Sequence, residues 1–224
     1  MRTVMITGAA GNLGRALAAA FAGSANLALI DVKRGDLTDS NTQLFIETDL
    51  LKTESVQSAV KTALQRFGRI DVLCNIAGGF RMGPPVHETS DKDWSFLLEL
   101  NARTVLNMAR AVVPVMLAAG GGKIVNVGAY AAQKGAAQMG AYIAAKSAVI
   151  RLTETMAAEL REKNINVNCV LPTIIDTPEN RAAMPKADPK RWVAPAALAD
   201  VIVFLASDAA RAIHGAALPV TGLS

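Results

Sequence analysis

Two side chains in the middle of the sequence have the types and the spacing of an acid–base pair. Tyr142 and Lys146 stand four positions apart in the Ala-rich stretch GAYIAAK. On a helix, that spacing places both side chains on one face, so the ammonium group can favour the phenolate and lower the pKa of Tyr142 from its ordinary value of about 10. Such a tyrosine is an effective general acid or base. The same spacing also arises by chance, so the hypothesis of a proton-transfer site depends on the elements around the pair.

A glycine-rich turn near the start of the chain is the second feature with chemical meaning. Residues 3–7 form a short apolar run typical of a strand, the turn contains Gly8, Gly11 and Gly14, and an Ala-rich helix follows. This order brings backbone N–H groups and the positive end of a helix to the place where the pyrophosphate of a dinucleotide binds. The GxxGxxG spacing differs from GxGxxG, and a plain tight turn is the alternative interpretation.

The end of the second predicted strand indicates which dinucleotide the turn would hold. Asp31 closes the apolar run at residues 27–30, where a carboxylate can accept hydrogen bonds from the adenosine ribose and repel a 2′-phosphate. This position favours NAD(H). NADP(H) stays open, because three cations are close enough to reach a phosphate: Arg15, Lys33 and Arg34. Asp49, after the third strand, would lie near the adenine, or it is a simple turn residue.

The order of the predicted elements indicates a single α/β domain over residues 1–224. The predicted strands cover residues 3–7, 27–30, 43–46, 71–75, a run from 123, 165–171 and 216–220, and the helices reach to Phe21 and span 53–67, 90–119, 140–162 and 196–207. Hydrophobic residues make up 51% of the chain and aromatic residues 4%, which suits a doubly wound parallel sheet with helices on both faces. The segment before residue 43 is too short for a long helix. Ligands of such sheets bind at the carboxyl ends of the strands.

Other classes of site have little support in the composition. Cys74 and Cys169 have neither metal-binding nor CxxC spacing, and His87 and His214 are isolated, so we expect free thiols in a reducing compartment and no metal. The net charge of +4 comes from scattered Lys and Arg, which argues against a nucleic-acid partner. No apolar run approaches the roughly 20 residues that span a bilayer, and no targeting peptide is evident. We therefore expect a cytoplasmic protein that acts on a small molecule.

With these features placed, the chain resembles the short-chain dehydrogenase/reductase family over nearly its whole length. The motifs that carry the resemblance are TGAAGNLG at residues 7–14, NIAG at 75–78, IVNV at 124–127, YIAAK at 142–146, and Leu171 and Pro172 followed by Thr177. The resemblance implies a Rossmann-type oxidoreductase with a nicotinamide cofactor. It also implies a homodimer or homotetramer, because family members commonly pair the helices that correspond to residues 105–117 and 142–160.

The resemblance also assigns roles to individual residues. Tyr142 would be the general acid or base, Lys146 would lower its pKa and hold the nicotinamide ribose, and Asn101 would hold a water that links Lys146 to solvent. The residues expected to contact the cofactor are Gly8, Gly11, Asn12, Leu13, Gly14, Asp31, Asp49, Leu50, Asn75, Ala77, Gly78, Tyr142, Lys146, Pro172, Ile175 and Thr177.

One position departs from the family pattern. The family's substrate-orienting serine stands thirteen residues before the tyrosine, and this chain has Ala129 there. Alanine cannot donate a hydrogen bond to a carbonyl oxygen, and losing such a donor often lowers the rate by roughly 100- to 1,000-fold. Three explanations are open: an impaired enzyme, a substitute donor such as Gln133 or Tyr130, or a C=N substrate whose nitrogen takes the Tyr142 proton directly.

The segment LPTIIDTPENRAAMPKADPKRW at residues 171–192 is similar to its counterpart in the dihydropteridine reductases, NADH-dependent members of the same family that lack the serine. The leading interpretation is therefore an NAD(P)H-dependent reductase of quinonoid dihydropterin or an imine-like C=N group. A carbonyl reductase or alcohol dehydrogenase with a substitute donor is one alternative, and a non-catalytic nucleotide-sensing protein is another. The substrate candidates are Ala129, Gln133, Met184 and Trp192, the last two from a short lid predicted at residues 179–195.

Overall fold

A seven-stranded parallel sheet forms the centre of the protein, in a computed structural model that describes all 224 residues. The strands are β1 (Arg2–Thr7), β2 (Ala25–Asp31), β3 (Gln43–Glu47), β4 (Val72–Asn75), β5 (Gly122–Val127), β6 (Ile165–Pro172) and β7 (Ala217–Val220). Their order across the sheet is β3-β2-β1-β4-β5-β6-β7. Because the order reverses between β1 and β4, a crevice opens at the carboxyl ends of these two strands, where ligands of such sheets bind.

Helices cover both faces of the sheet, which confirms the predicted fold class. The helices are α1 (Asn12–Phe21), α2 (Thr53–Phe67), α3 (Asp91–Leu98), α4 (Thr104–Ala118), α5 (Gly140–Leu160), α6 (Pro178–Ala183) and α7 (Pro195–Leu205). On one face, Leu17 of α1 and Ile202 of α7 pack into the same core cluster. On the other face, Val60 of α2, Met108 of α4 and Leu160 of α5 share a second cluster. None of these helices is long and apolar enough to cross a membrane.

The link between β2 and β3 contains no helix, as its length predicted. Its chain is held by Asp39, whose carboxylate accepts a hydrogen bond from the Phe45 N–H at 2.7 Å and pairs with Arg34 at 3.0 Å. The Arg34 guanidinium in turn lies 4.9 Å from the centre of the Phe45 ring. The contacts among Arg34, Asp39 and Phe45 therefore hold this link in one conformation without a helix.

The helix predicted from Ser90 onward is interrupted. Ser90 caps α3 as expected, since its Oγ accepts a hydrogen bond from the Asp93 N–H at 3.1 Å. Between α3 and α4, however, Glu99–Arg103 form a π-helical turn with Asn101 at its centre. Such turns are rare in helices and frequent at functional sites, and this one brings Asn101 beneath the carboxyl end of β4.

The predicted lid is a short, ordered segment. Its base is closed by a bridge between Ile175 and Val193. Thr177 caps the N-terminus of α6, since its Oγ1 accepts a hydrogen bond from the Asn180 N–H. Arg181 binds the carboxylate of Asp176 with two hydrogen bonds, of 2.6 and 2.7 Å. These contacts fix the lid above the carboxyl ends of the strands.

Candidate active site

A cleft of about 870 Å³ occupies the crevice at the carboxyl edge of the sheet. It is lined by every residue predicted to contact the cofactor except Asn75, that is, by Gly8, Gly11, Asn12, Leu13, Gly14, Asp31, Asp49, Leu50, Ala77, Gly78, Tyr142, Lys146, Pro172, Ile175 and Thr177. The prediction thus named residues from six separate parts of the chain that the fold brings into one cavity.

The turn between β1 and α1 fits a pyrophosphate. Gly8 has a φ of +65°, and a Cβ on Gly14 would overlap the carbonyl oxygen of Gly8, so both positions require glycine. At the start of α1, the N–H groups of Asn12 and Leu13 have no acceptor within the protein and no side-chain cap. Free N–H groups at a helix N-terminus attract an anion. Thr7 ties this turn to β4 by accepting hydrogen bonds from Ile76 and Ala77 N–H.

Tyr142 and Lys146, the predicted catalytic pair, lie one turn apart on α5, but the electrostatics of the cofactor-free protein differ from the expectation. Burial raises the pKa of Tyr142 to about 12, and burial lowers the pKa of Lys146 to about 8. The Lys146 Nζ donates a hydrogen bond to the Val127 carbonyl oxygen at 2.8 Å. The expectation that Lys146 lowers the pKa of Tyr142 is therefore wrong for this state, because desolvation dominates. Tyr142 is a neutral phenol here, suited to donating a proton.

Asn101 is buried below the pair and holds the backbone of Gly79. Its Oδ1 accepts a hydrogen bond from the Gly79 N–H at 3.1 Å, and its Nδ2 donates one to the Gly79 carbonyl oxygen at 3.0 Å. A Cβ added to Gly78 would lie 2.7 Å from Asn101 Oδ1 and 3.1 Å from Lys146 Nζ. Asn101 and Lys146 therefore flank the same glycine, and the water-holding role of Asn101 stays a prediction.

The structure corrects the prediction that Asn75 contacts the cofactor. Its side chain is buried and does not line the cleft, because Nδ2 donates a hydrogen bond to Asn126 Oδ1 at 2.8 Å. Asn126 in turn donates to Thr153 Oγ1 at 2.9 Å. These three residues form a buried polar chain from β4 through β5 to α5, and their role is to fix α5 against the sheet.

The substrate candidates divide into two groups. Ala129 and Met184 line the cleft. Gln133 lies exposed at the end of a 3-10 turn, outside the cleft, and Trp192 is buried with 7% exposure next to Gly222 rather than facing the cavity. Neither can contact a substrate in this arrangement, so Gln133 is not the substitute donor.

Phe80 is a cleft residue that the sequence reasoning missed. Its ring stands perpendicular to the ring of Tyr142 at 4.9 Å between centres, yet the residue is 57% exposed. The available signal was an aromatic residue directly after the Gly78–Gly79 pair at the end of a buried strand. Asn180 and Met139 also line the cleft without having been predicted.

Both cysteines lie in the core, without a disulfide. Burial raises the pKa of Cys74 to about 12 and that of Cys169 to about 11, so both thiols are protonated and unreactive at neutral pH. No three His, Cys, Asp or Glu side chains come together in a way that could hold a metal ion.

The fold and the cleft together define a dinucleotide-binding oxidoreductase of the doubly wound α/β class. A model of the short chain dehydrogenase family matches residues 2–188, and the chain belongs to that family. D-threitol dehydrogenase of Mycolicibacterium smegmatis is 34% identical over 239 residues, covering 99% of this chain and 92% of the relative. NAD-dependent glycerol dehydrogenase of Listeria innocua is 32% identical with the same coverage. Carveol dehydrogenase of Mycobacterium avium in complex with NAD superimposes with a TM-score of 0.88 at 27% identity, covering 99% of this chain and 96% of that chain.

Family membership, together with Tyr142 and Lys146 in the cleft, makes the protein an NAD(P)-dependent oxidoreductase acting on a small molecule. The alternative of a non-catalytic nucleotide-sensing protein is set aside. The dihydropteridine reductases do not occur among the relatives described above, which are alcohol dehydrogenases by name.

Proposed function

We propose that the chain is an NADH-dependent reductase of a C=N bond or a quinonoid ring, with quinonoid dihydropterin as the best candidate. The observation that carries the proposal is Ala129, which is 4% exposed and lines the cleft where the family pattern has a hydrogen-bond donor. A C=N substrate can react without such a donor, because its nitrogen is more basic than a carbonyl oxygen and takes the Tyr142 proton more readily as hydride arrives.

Tyr142 is suited to supply that proton. With its pKa raised to about 12 by burial, the phenol stays protonated through the neutral pH range. NADH, when bound, supplies the hydride. The Tyr142 hydroxyl donates its proton to the substrate nitrogen, and Lys146, one helical turn away with Nζ held at the Val127 carbonyl oxygen, stabilises the phenolate that forms.

The composition of the substrate end of the cleft favours a flat, uncharged molecule. The charged side chains lining the whole cleft are Asp31, Asp49 and Lys146, and the two carboxylates lie at the adenosine end. Around Tyr142 the cleft is bordered by Phe80, Ala129, Tyr130, Met139, Ile174 and Met184. Aromatic and thioether side chains bind planar rings well, whereas a carboxylate or phosphate inside this cleft would find no arginine, histidine or free lysine to pair with. Arg81, in the adjoining pocket that shares Met139 and Tyr142, is paired with Asp93 at 2.7 Å.

The preference for NADH over NADPH is argued from Asp31 and the cations near it. The Asp31 carboxylate is held at the cleft by hydrogen bonds from Ala10 and Val32 N–H, at 3.0 and 2.8 Å. Arg34 is paired with Asp39, and Arg15 donates to the Ala10 carbonyl oxygen at 2.8 Å. A 2′-phosphate would therefore meet the Asp31 carboxylate, while two of the three nearby cations, Arg15 and Arg34, are already engaged and Lys33 is exposed.

A second candidate function is an alcohol dehydrogenase or carbonyl reductase. Two observations favour it: the relatives are named as dehydrogenases of the alcohols threitol and glycerol, and Tyr130, which is 41% exposed, lines the cleft beside Ala129. In this reading Tyr130 replaces the missing serine as the donor to a carbonyl oxygen.

The test is NADH oxidation with quinonoid dihydropterin and with a panel of small ketones, together with NAD+ reduction by a panel of polyols. It is run for the wild type, Tyr142→Phe, Ala129→Ser and Tyr130→Phe. Pterin turnover that is lost in Tyr142→Phe, together with poor ketone turnover that rises in Ala129→Ser, is the expected result. Ketone or polyol turnover that collapses in Tyr130→Phe, without pterin turnover, would replace the first candidate by the second.

A further inference from the structure

A buried amide on α4 stands outside the catalytic groups described above. Asn107 is 4% exposed, on a helix whose other buried side chains are mostly apolar. An amide is costly to bury unless it is hydrogen-bonded. Its Nδ2 donates to the Leu50 carbonyl oxygen at 2.9 Å, across 57 positions of sequence. The contact therefore joins α4 to the segment that follows β3.

That segment has no regular structure and lines the adenosine end of the cleft. The peptide that joins Leu50 to Leu51 is held on both sides: its carbonyl oxygen by Asn107, and its N–H by Asp49 Oδ1 at 3.0 Å. The other Asp49 carboxylate oxygen lies 3.3 Å from Lys52 Nζ. Fixing this peptide plane therefore also fixes the direction of the Asp49 carboxylate.

The same segment leaves a backbone donor unused. The Leu50 N–H has no hydrogen-bond acceptor within the protein, although the residue is 8% exposed and its side chain is packed into the core. A carboxylate acceptor and an N–H donor thus stand on adjacent residues at the edge of the cleft. Adenine presents the complementary pair, an amino donor at C6 beside the acceptor N1.

We infer that Asn107 is a positioning residue for adenine recognition: by holding the Leu50 carbonyl oxygen, it sets the Asp49 carboxylate and the Leu50 N–H at the spacing that the 6-amino group and N1 require. The inference depends on an adenine dinucleotide as cofactor and not on the substrate proposed above, so the two can fail separately.

The test measures binding rather than turnover, with ADP-ribose and with its hypoxanthine analogue, by calorimetry. Hypoxanthine has an oxygen at C6 and an N–H at N1. It would therefore present an acceptor to the Asp49 carboxylate and a donor to the Leu50 N–H, and neither pair can form a hydrogen bond. The wild type is expected to prefer ADP-ribose by at least tenfold, since two hydrogen bonds are reversed. Asn107→Leu is expected to weaken ADP-ribose binding by about tenfold and to bring the ratio of the two affinities towards one.

The ratio of the two affinities distinguishes a positioning role from a loss of stability. Because both ligands are measured on the same preparation, a smaller folded fraction affects both affinities equally and leaves their ratio unchanged. Asn168→Leu is the matched control: it removes a buried amide that donates to the Ile213 carbonyl oxygen at 2.9 Å, away from the cleft. It should reduce stability and leave the ratio unchanged. The inference is overturned if Asn107→Leu has the same ratio of affinities as the wild type. It is also overturned if the wild type itself does not prefer ADP-ribose, and this second result can be obtained even if the variant fails to fold.

Discussion

In the cofactor-free protein, the charged ammonium group of Lys146 is buried, and burying a charge is unfavourable. Burial lowers its pKa to about 8, against about 10.4 in an unfolded chain. Between these pH values the unfolded state binds more protons at this residue than the folded state, so its contribution to the free energy of unfolding rises with pH. The buried ammonium of Lys146 therefore lowers the free energy of unfolding at neutral pH.

The prediction concerns Lys146→Met. The free energy of unfolding of this variant, relative to that of the wild type, is expected to fall by roughly 2 kcal/mol as the pH rises from 8 to about 10. The reason is that the wild type becomes more stable as its buried ammonium loses its proton, whereas the variant has no such group. Urea unfolding of both cofactor-free proteins at pH 7.5 and 10 measures this difference. A difference that stays constant over that range would show that the ammonium is solvated and not buried.

At the scale of elements, the β2–β3 link determines more than the path of the chain. Without a helix, its cations are placed by local pairs, and Arg34 is held by Asp39 and stacked on Phe45. The barrier to NADPH is therefore of two kinds: the Asp31 carboxylate repels a phosphate, and the nearest arginine is already neutralised.

Removing both parts of that barrier should change cofactor preference in two steps. Asp31→Ser is expected to raise the ratio of kcat/KM for NADPH over NADH by about tenfold, through loss of one like charge near the phosphate. Adding Asp39→Asn, which frees Arg34, should raise it further. Asp91→Asn in the Asp31→Ser background is the control, because Asp91 lies at the start of α3 and pairs with neither Arg15 nor Arg34. Equal effects of the two second substitutions would contradict the role given to Asp39.

The elements also show where sequence reasoning succeeds and where it stops. The glycine turn could be predicted because backbone proximity permits only glycine at Gly14, and the missing helix because chain length forbids it. The π-helical turn at Glu99–Arg103 has no composition of its own, so a continuous helix was expected. Asn75 and Trp192 were placed in the cleft by position in the chain, whereas side-chain direction, which depends on packing, turned both away.

At the scale of the whole molecule, the outer surfaces of α4 and α5 predict a homo-oligomer. Along both helices, apolar side chains that the core does not fully cover remain partly exposed, among them Leu106, Val113, Leu117, Ile143 and Leu152. Apolar side chains left partly exposed along helices in this way are typical of a subunit interface.

Light scattering at micromolar concentration should therefore give a dimer or tetramer mass, and Leu152→Glu should lower that mass by burying a charge between subunits. Ala20→Glu, at an exposed residue of α1 on the opposite face of the sheet, should leave the mass unchanged. A wild-type monomer, or equal masses for the wild type and Leu152→Glu, would exclude this interface.

The two protonated, inaccessible thiols allow the stability of the fold to be measured by thiol labelling. Cys74 and Cys169 have no exposed surface, so a thiol reagent can modify them only during an opening of the fold, and the labelling rate reports how often that opening occurs. Cys74 lies on β4, beside the dinucleotide crevice, and Cys169 lies under Gly128 on the floor of the catalytic end. Slower labelling in the presence of a dinucleotide or a candidate substrate would thus rank ligands by the protection they give, without any turnover being observed.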